Sequence, residues 1–186
     1  STRQSPVFII FFSFFEKINL NDHFIRLIHL HLCLLLPIIF FSSLRIKYKS
    51  VKPENLLLLV GLIFLSPTFR SIAIWPDPRL LGLTLFCVSI YFYLMFEENK
   101  KFKNCILNII FCAISAYISP NFALFSIFYF YKFILFFKFK INKLIPLILL
   151  NIILSIPAFY YIFILDINFL NKTAAISIDE KENIFF

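Results

Sequence analysis

Apolar residues run through this chain in long blocks, separated by short polar breaks. The blocks are Val7–Ile18, Phe24–Leu44, Pro53–Phe69, Leu80–Phe96, Cys105–Ile118, Phe122–Phe137 and Leu144–Leu165. Such blocks are too apolar for a water-facing surface. In hydrocarbon every backbone polar group must be bonded internally, so they are expected to be helices. A span needs about twenty residues, seldom fewer than about seventeen. Val7–Ile18 is shorter and reads as a surface or re-entrant helix, with a short span as the alternative. The fold class expected is therefore all-α: a polytopic transmembrane bundle of about six spans plus an N-terminal surface helix. Residues 1–22 form an outer-surface segment, 23–165 the bundle, and 166–186 an extracytoplasmic tail, all within a single membrane domain. Asn21 or Asp22 is placed to cap the first span. Pro37 can kink that span without ending it.

The polar breaks carry the orientation. Arg45, Lys47, Lys49 and Lys52 follow the first span, Lys100, Lys101 and Lys103 the third, and Lys138, Lys140 and Lys143 the fifth. Lys and Arg mark cytoplasmic loops, while acidic residues count for little. Three loops of the same parity are thus expected in the cytoplasm. The connection from Arg70 to Arg79 and the turn Ser119-Pro120-Asn121 then lie outside. So does the tail with Asp166, Asp179, Glu180 and Glu182.

Composition agrees. The 186 residues are 61% hydrophobic and 15% charged, against about 45–50% and about 25% in soluble domains. The net charge of +8 sits in the loops and argues against nucleic acid as a partner. Cys33, Cys87, Cys105 and Cys112 lie in or beside apolar blocks and form no CxxC, as buried free thiols do. The chain begins at Ser1 and stops as an apolar run begins at Ile184, and it is read as an internal piece of a longer protein.

Chemistry concentrates in the outer connection. Arg70 and Arg79 can hold phosphate oxygens, often with two bonds each. Trp75 can stack on a sugar or anchor a helix end at the interface. Asp77 can act as a base, bind a metal, or pair with Arg79 or Arg70. An ordinary solvated turn explains the same residues. Arg26 is costly if it faces lipid, and it shares a helix face with His23 and His29. A metal needs its ligands on a common centre, and no second Asp, Glu or Cys stands near those histidines in sequence, which disfavours a metal there.

Gln4-Ser5-Pro6-Val7-Phe8, the arginine-led Phe24-Ile25-Arg26-Leu27, and the stretch Leu65–Trp75 together resemble a known family. The chain is similar to polytopic glycosyltransferases of the C superfamily, in the mannosyl-, galacturonosyl- and aminoarabinosyltransferase-like branch. The resemblance implies a polyprenyl-phosphate sugar as donor, membrane lipids around the bundle, and a glycan, lipid or protein acceptor. It implies a bacterial inner membrane, or the endoplasmic reticulum membrane in a eukaryote. A divalent metal accompanies some relatives, without a ligand set here. The family's catalytic carboxylate lies on a first outer loop that this chain lacks, so the piece alone is expected to be inactive. Arg70 and Arg79, then Arg26, are the residues expected to meet the donor phosphate. A transporter or channel segment and a non-catalytic membrane scaffold are the alternatives.

Overall fold

The helix that opens the bundle begins where its first free amides find a partner. Asn21 is extended, and its side-chain oxygen accepts from the backbone amide of His23 at 3.4 Å. From there α2 runs unbroken over Asp22–Lys47, through a buried Pro37. In this computed structural model the described residues are 6–17, 21–75 and 77–160. Before α2 lies α1, Pro6–Lys17. After it come α3, Pro53–Leu65; α4, Pro67–Ile74; α5, Pro78–Asn99; and α6, Phe102–Ile118. A 3-10 turn at Pro120–Phe122 leads into α7, Phe125–Phe137, and α8 covers Ile141–Phe159. No strand occurs among the described residues. The acidic tail expected from Asp166 lies outside them, as do residues 161–165 of the last apolar block. Residues 1–150 form one compact unit and residues 151–186 a second, whose described part is helical from Asn151 to Phe159.

The protein is an all-α, integral-membrane, multi-span protein. Among the described residues four helical segments are long and apolar enough to cross a bilayer: Asp22–Lys47, Pro78–Asn99, Pro120–Phe137 and Ile141–Phe159. The pair α3 and α4 makes a fifth if it counts as one broken span. Helix α6, with 17 residues, is shorter.

One expected element is corrected. The block Pro53–Phe69 is not one helix, and Arg70 is not in a turn. The helix breaks at Ser66, and α4 leaves α3 at 66°. Proline has no amide to donate, so Pro67 ends the hydrogen-bond ladder of α3 but suits the first turn of a new helix. Ser66 serves both sides. Its amide donates to Ile63 O at 3.2 Å, and its hydroxyl accepts from the Phe69 amide at 3.3 Å. Arg70 therefore projects from α4, and the connection to α5 begins only at Trp75.

Contacts within the first unit define its two ends. Lys49 Nζ meets Glu98 Oε1 at 2.6 Å. Lys100 Nζ lies 4.6 Å from the Phe136 ring, and Lys143 Nζ 5.6 Å from the Phe102 ring. The three lysine-bearing loops thus share one end. At the other, the start of α2, the α4–α5 connection and residues 119–122 come together. A Cβ added at Gly82 would lie 2.7 Å from Ser119 Cβ, so only glycine permits that approach. Helices α5 and α7 end with Lys100 (φ 56°) and Lys138 (φ 46°) in the left-handed region.

Between the ends, buried polar pairs lock α5 to α6. Ser115 Oγ donates to Gly82 O at 2.8 Å, and Asn108 Nδ2 to Ser89 O at 2.9 Å and Ser89 Oγ at 2.8 Å. In return Ser89 Oγ donates to Asn108 O at 3.0 Å. A second core cluster joins α2, α4 and α5 through Cys33, Leu36, Phe69, Ala73, Leu80 and Cys87. All four cysteines are buried and free.

Candidate functional site

The site grows out of two helix ends. Helix α4 stops at Ile74, and the Trp75 amide donates to Ser71 O at 3.2 Å. Helix α5 starts at Pro78 with Asp77 as its cap. Asp77 Oδ1 accepts from the Arg79 amide at 2.7 Å and from Arg79 Nε at 3.1 Å. Asp77 Oδ2 accepts from Nε at 3.2 Å and Nη2 at 2.7 Å. Of the two pairings open in the sequence, Asp77–Arg79 is the one that forms. Capping fixes the carboxylate over the first turn of α5, where the Arg79 side chain also begins. Burial by itself pushes the Asp77 carboxyl up. The hydrogen bonds and charge of Arg79 outweigh it and hold the carboxyl below the ordinary carboxylate range.

Arg26, one turn into α2, lays its guanidinium over Trp75, with Cζ 4.2 Å from the ring centre. This cation–π contact places the guanidinium charge against the face of the indole. Trp75 is 58% exposed. The structure thus gathers Arg26, Trp75, Asp77 and Arg79 at one end of the bundle. Arg70 sits on the exposed side of α4, while Phe69 and Ala73 face the core. Among the described residues its side chain makes no ion pair or hydrogen bond.

The residue that ties this end together is His29, fully buried in α2. Its Nδ1 lies 3.1 Å from Ala73 O, and its Nε2 3.4 Å from the Asp77 amide. A carbonyl only accepts and an amide only donates, so Nδ1 carries the proton and Nε2 the lone pair. One imidazole thus bridges the last turn of α4 and the cap of α5. Cys33 Sγ is 3.6 Å from Nε2. Sequence reasoning placed His29 on the Arg26 face but not in this role. Its only signal there was a polar ring one turn before a cysteine inside an apolar helix.

These groups do not suit a metal. Both ring nitrogens of His29 face backbone groups, and the Asp77 oxygens are taken by Arg79. Among the described residues no three His, Cys, Asp or Glu side chains converge on one centre. Two clefts, of about 260 and 210 Å³, lie at the lysine end instead, the larger lined by Arg45, Tyr48, Lys49, Val51, Pro53 and Leu56. Lys132, inside the apolar run of α7, is half-buried with Nζ 5.5 Å from the Phe128 ring.

No protein-family model, curated protein or solved structure matches the chain.

Proposed function

We propose that this chain is part of a membrane glycosyltransferase that takes a sugar from a polyprenyl-phosphate donor to a lipid, glycan or protein acceptor. The observation that carries the reading is Arg26 lying over an exposed Trp75 at one bundle end; Arg70, on the exposed side of α4, is unpaired among the described residues. Arginines at a bilayer surface suit phosphate, and an exposed indole offers a face for a sugar ring. Arg79 is the weaker phosphate ligand of the three, because its fork is already spent on Asp77. For the same reason Asp77 is a poor general base. That role, taking the acceptor hydroxyl's proton during attack on the anomeric carbon, belongs to another carboxylate.

On this reading the arginine end faces away from the cytoplasm and the lysine end faces it. The membrane is a bacterial inner membrane, or the endoplasmic reticulum in a eukaryote. Six crossings fit the arrangement. Helix α6 connects the two ends of the first unit, and its 17 residues rise about 25 Å. The α3–α4 pair supplies another crossing.

The test is binding by the chain in lipid nanodiscs, titrated with polyprenyl phosphate and, separately, with the polyprenol that lacks phosphate. Binding of the phosphate alone is expected. Arg70→Ala and Arg70→Lys should each weaken it about tenfold, since one charge-assisted contact is worth about 1.5–3 kcal/mol and ammonium lacks the planar fork. Equal affinity for phosphate and alcohol, or wild-type affinity in both variants, overturns the reading.

A further inference from the structure

We propose that the larger cleft at the lysine end holds the headgroup of one anionic phospholipid, with Arg45 as its main phosphate ligand. The cleft, of about 260 Å³, lies where α2 ends and α3 begins. It is smaller than the sites of about 300–1,000 Å³ that enclose a whole drug-sized ligand, and so suits a headgroup. Its lining divides by chemistry: Arg45, Tyr48 and Lys49 are polar, while Val51, Pro53 and Leu56 are apolar. Helix α2 is long enough to cross the bilayer, so its end sets this mixed lining at the membrane surface. A phospholipid changes there in the same way, from charged phosphate to acyl chain. Basic pockets at the ends of spanning helices are suited to anionic headgroups.

The two clefts share Lys49 but differ in charge. The smaller sets Lys47 and Lys49 against Glu97 and Glu98, so its formal charges cancel. The larger is lined by two cations and no carboxylate. Glu54, the one carboxylate of α3, follows Pro53 but does not line it. The C-terminal end of α2 disfavours an anion and the N-terminal end of α3 favours one, so the helix dipoles oppose each other and the side chains decide. Lys49 is shared with Glu98, 2.6 Å away. Arg45 is exposed, and among the described residues its side chain makes no ion pair or hydrogen bond. Its planar fork matches two oxygens of one phosphate. Tyr48, 50% exposed, adds a hydroxyl that can donate. One open cation and one shared cation suit a singly charged phosphodiester better than a headgroup with several phosphates.

A lipid, rather than a soluble phosphate, is the source the surroundings favour. Beyond Pro53 and Leu56, α3 continues with Leu57, Leu58 and Leu62 exposed. They give an acyl chain a path along the helix that leaves the cleft. The site needs neither a particular orientation of the chain in the membrane nor the function proposed above.

The experiment is native mass spectrometry of the 186-residue chain in detergent, with dioleoyl-phosphatidylglycerol and dioleoyl-phosphatidylcholine added in turn. One phosphatidylglycerol is expected to bind saturably, about tenfold tighter than phosphatidylcholine. Arg45→Gln should remove most of that preference, and Arg45→Lys should keep only part of it, because ammonium lacks the fork. Lys101→Gln, which removes an exposed charge from another loop, should change it about twofold at most. Glu98→Gln, which frees Lys49, should tighten binding more than Glu97→Gln, which removes the same charge from the same helix. Equal effects within either of these pairs would reduce the attraction to net charge and overturn the site. Equal affinity of the wild type for the two lipids overturns it without any variant. Excess glycerol 1-phosphate, which has the phosphate and no acyl chain, should leave the lipid bound. Its displacement of the lipid would make the ligand a soluble phosphate and overturn the proposal. The test of donor binding reads Arg70 on α4, so either proposal can fail without the other.

Discussion

The two ends of the first unit are both built from cations and aromatic rings, yet they are held in different ways. At the lysine end the contacts join side chains in water. Lys49 and Glu98 pair with side chains 65% and 35% exposed, and Lys100 and Lys143 lie over phenylalanine rings. At the arginine end the decisive contacts reach the backbone. His29 bonds a carbonyl and an amide, Asp77 bonds the Arg79 amide, and Ser66 bonds the Phe69 amide. Side-chain pairs in water can be exchanged for others of like charge. A ring fitted to two backbone groups has few substitutes. The lysine end is built to carry charge, and the arginine end to hold a geometry.

The largest effect should come from the close approach beneath the arginine end. Gly82→Val must displace Ser119 Cβ, which the backbone fixes. A loss of about 1–3 kcal/mol is expected, as for other overpacked sites. Gly61→Ala is the control: nothing lies within 4 Å of its added Cβ. It should leave stability unchanged or raise it by up to about 1 kcal/mol, because alanine is the better helix former. Thermal unfolding in a single detergent measures both. Equal losses would mean that the α5–α6 crossing is looser than 2.7 Å implies.

The middle effect belongs to the cap. Asp77→Ala should cost about 0.5–2 kcal/mol. Asp77→Asn keeps an acceptor for the amide and separates capping from charge. The folded-state pKa of Asp77 lies below its ordinary value. Its charge-dependent contribution is therefore full above about pH 4, the unfolded value, and is lost as pH falls through the depressed folded one. Melting temperatures at pH 5 and pH 3 should differ less in Asp77→Asn than in the wild type. An identical difference in both would assign the acid sensitivity to other carboxylates.

The smallest effect is expected at the lysine end. Lys49→Ala should cost no more than about 1 kcal/mol, as exposed pairs do. Raised salt should shrink that cost further. A larger, salt-resistant loss would mean that this end is also held by geometry, and the contrast between the ends would fail.

The sequence displays the lysine end almost completely. Charges in an otherwise apolar chain are conspicuous, and their parity brings three loops to one end. Helix α2 is equally visible, because Asn21 and Asp22 precede a long apolar run. The break at Ser66 is harder to see. Leucines continue up to the Ser-Pro step and Phe69 follows it, so hydropathy alone does not say whether the chain bends or goes straight on. Proline and serine mark the place, but they do not specify a 66° bend. The pairing of Asp77 was open in the sequence, since arginines flank it on both sides. Capping of α5 decides for Arg79. His29 is the least legible, because its partners are a carbonyl and an amide that every residue type possesses. A side chain bonded to backbone leaves no complementary letter elsewhere in the chain.

Lys100 and Lys138 end their helices in a backbone conformation that costs an L-residue roughly 1–2 kcal/mol. Glycine would take it without strain, but the chain contains only two. The same lysines belong to the loops that the excess of Lys and Arg leads us to expect in the cytoplasm. Helix ending and topological signal are therefore written in one residue. A change to glycine would relax the turn and erase a positive charge in the same stroke. Two needs that compete at a single codon tend to preserve a strained solution, because neither can be improved without loss to the other. The strain at these two positions is what it costs to keep a positive charge where glycine would fit the backbone.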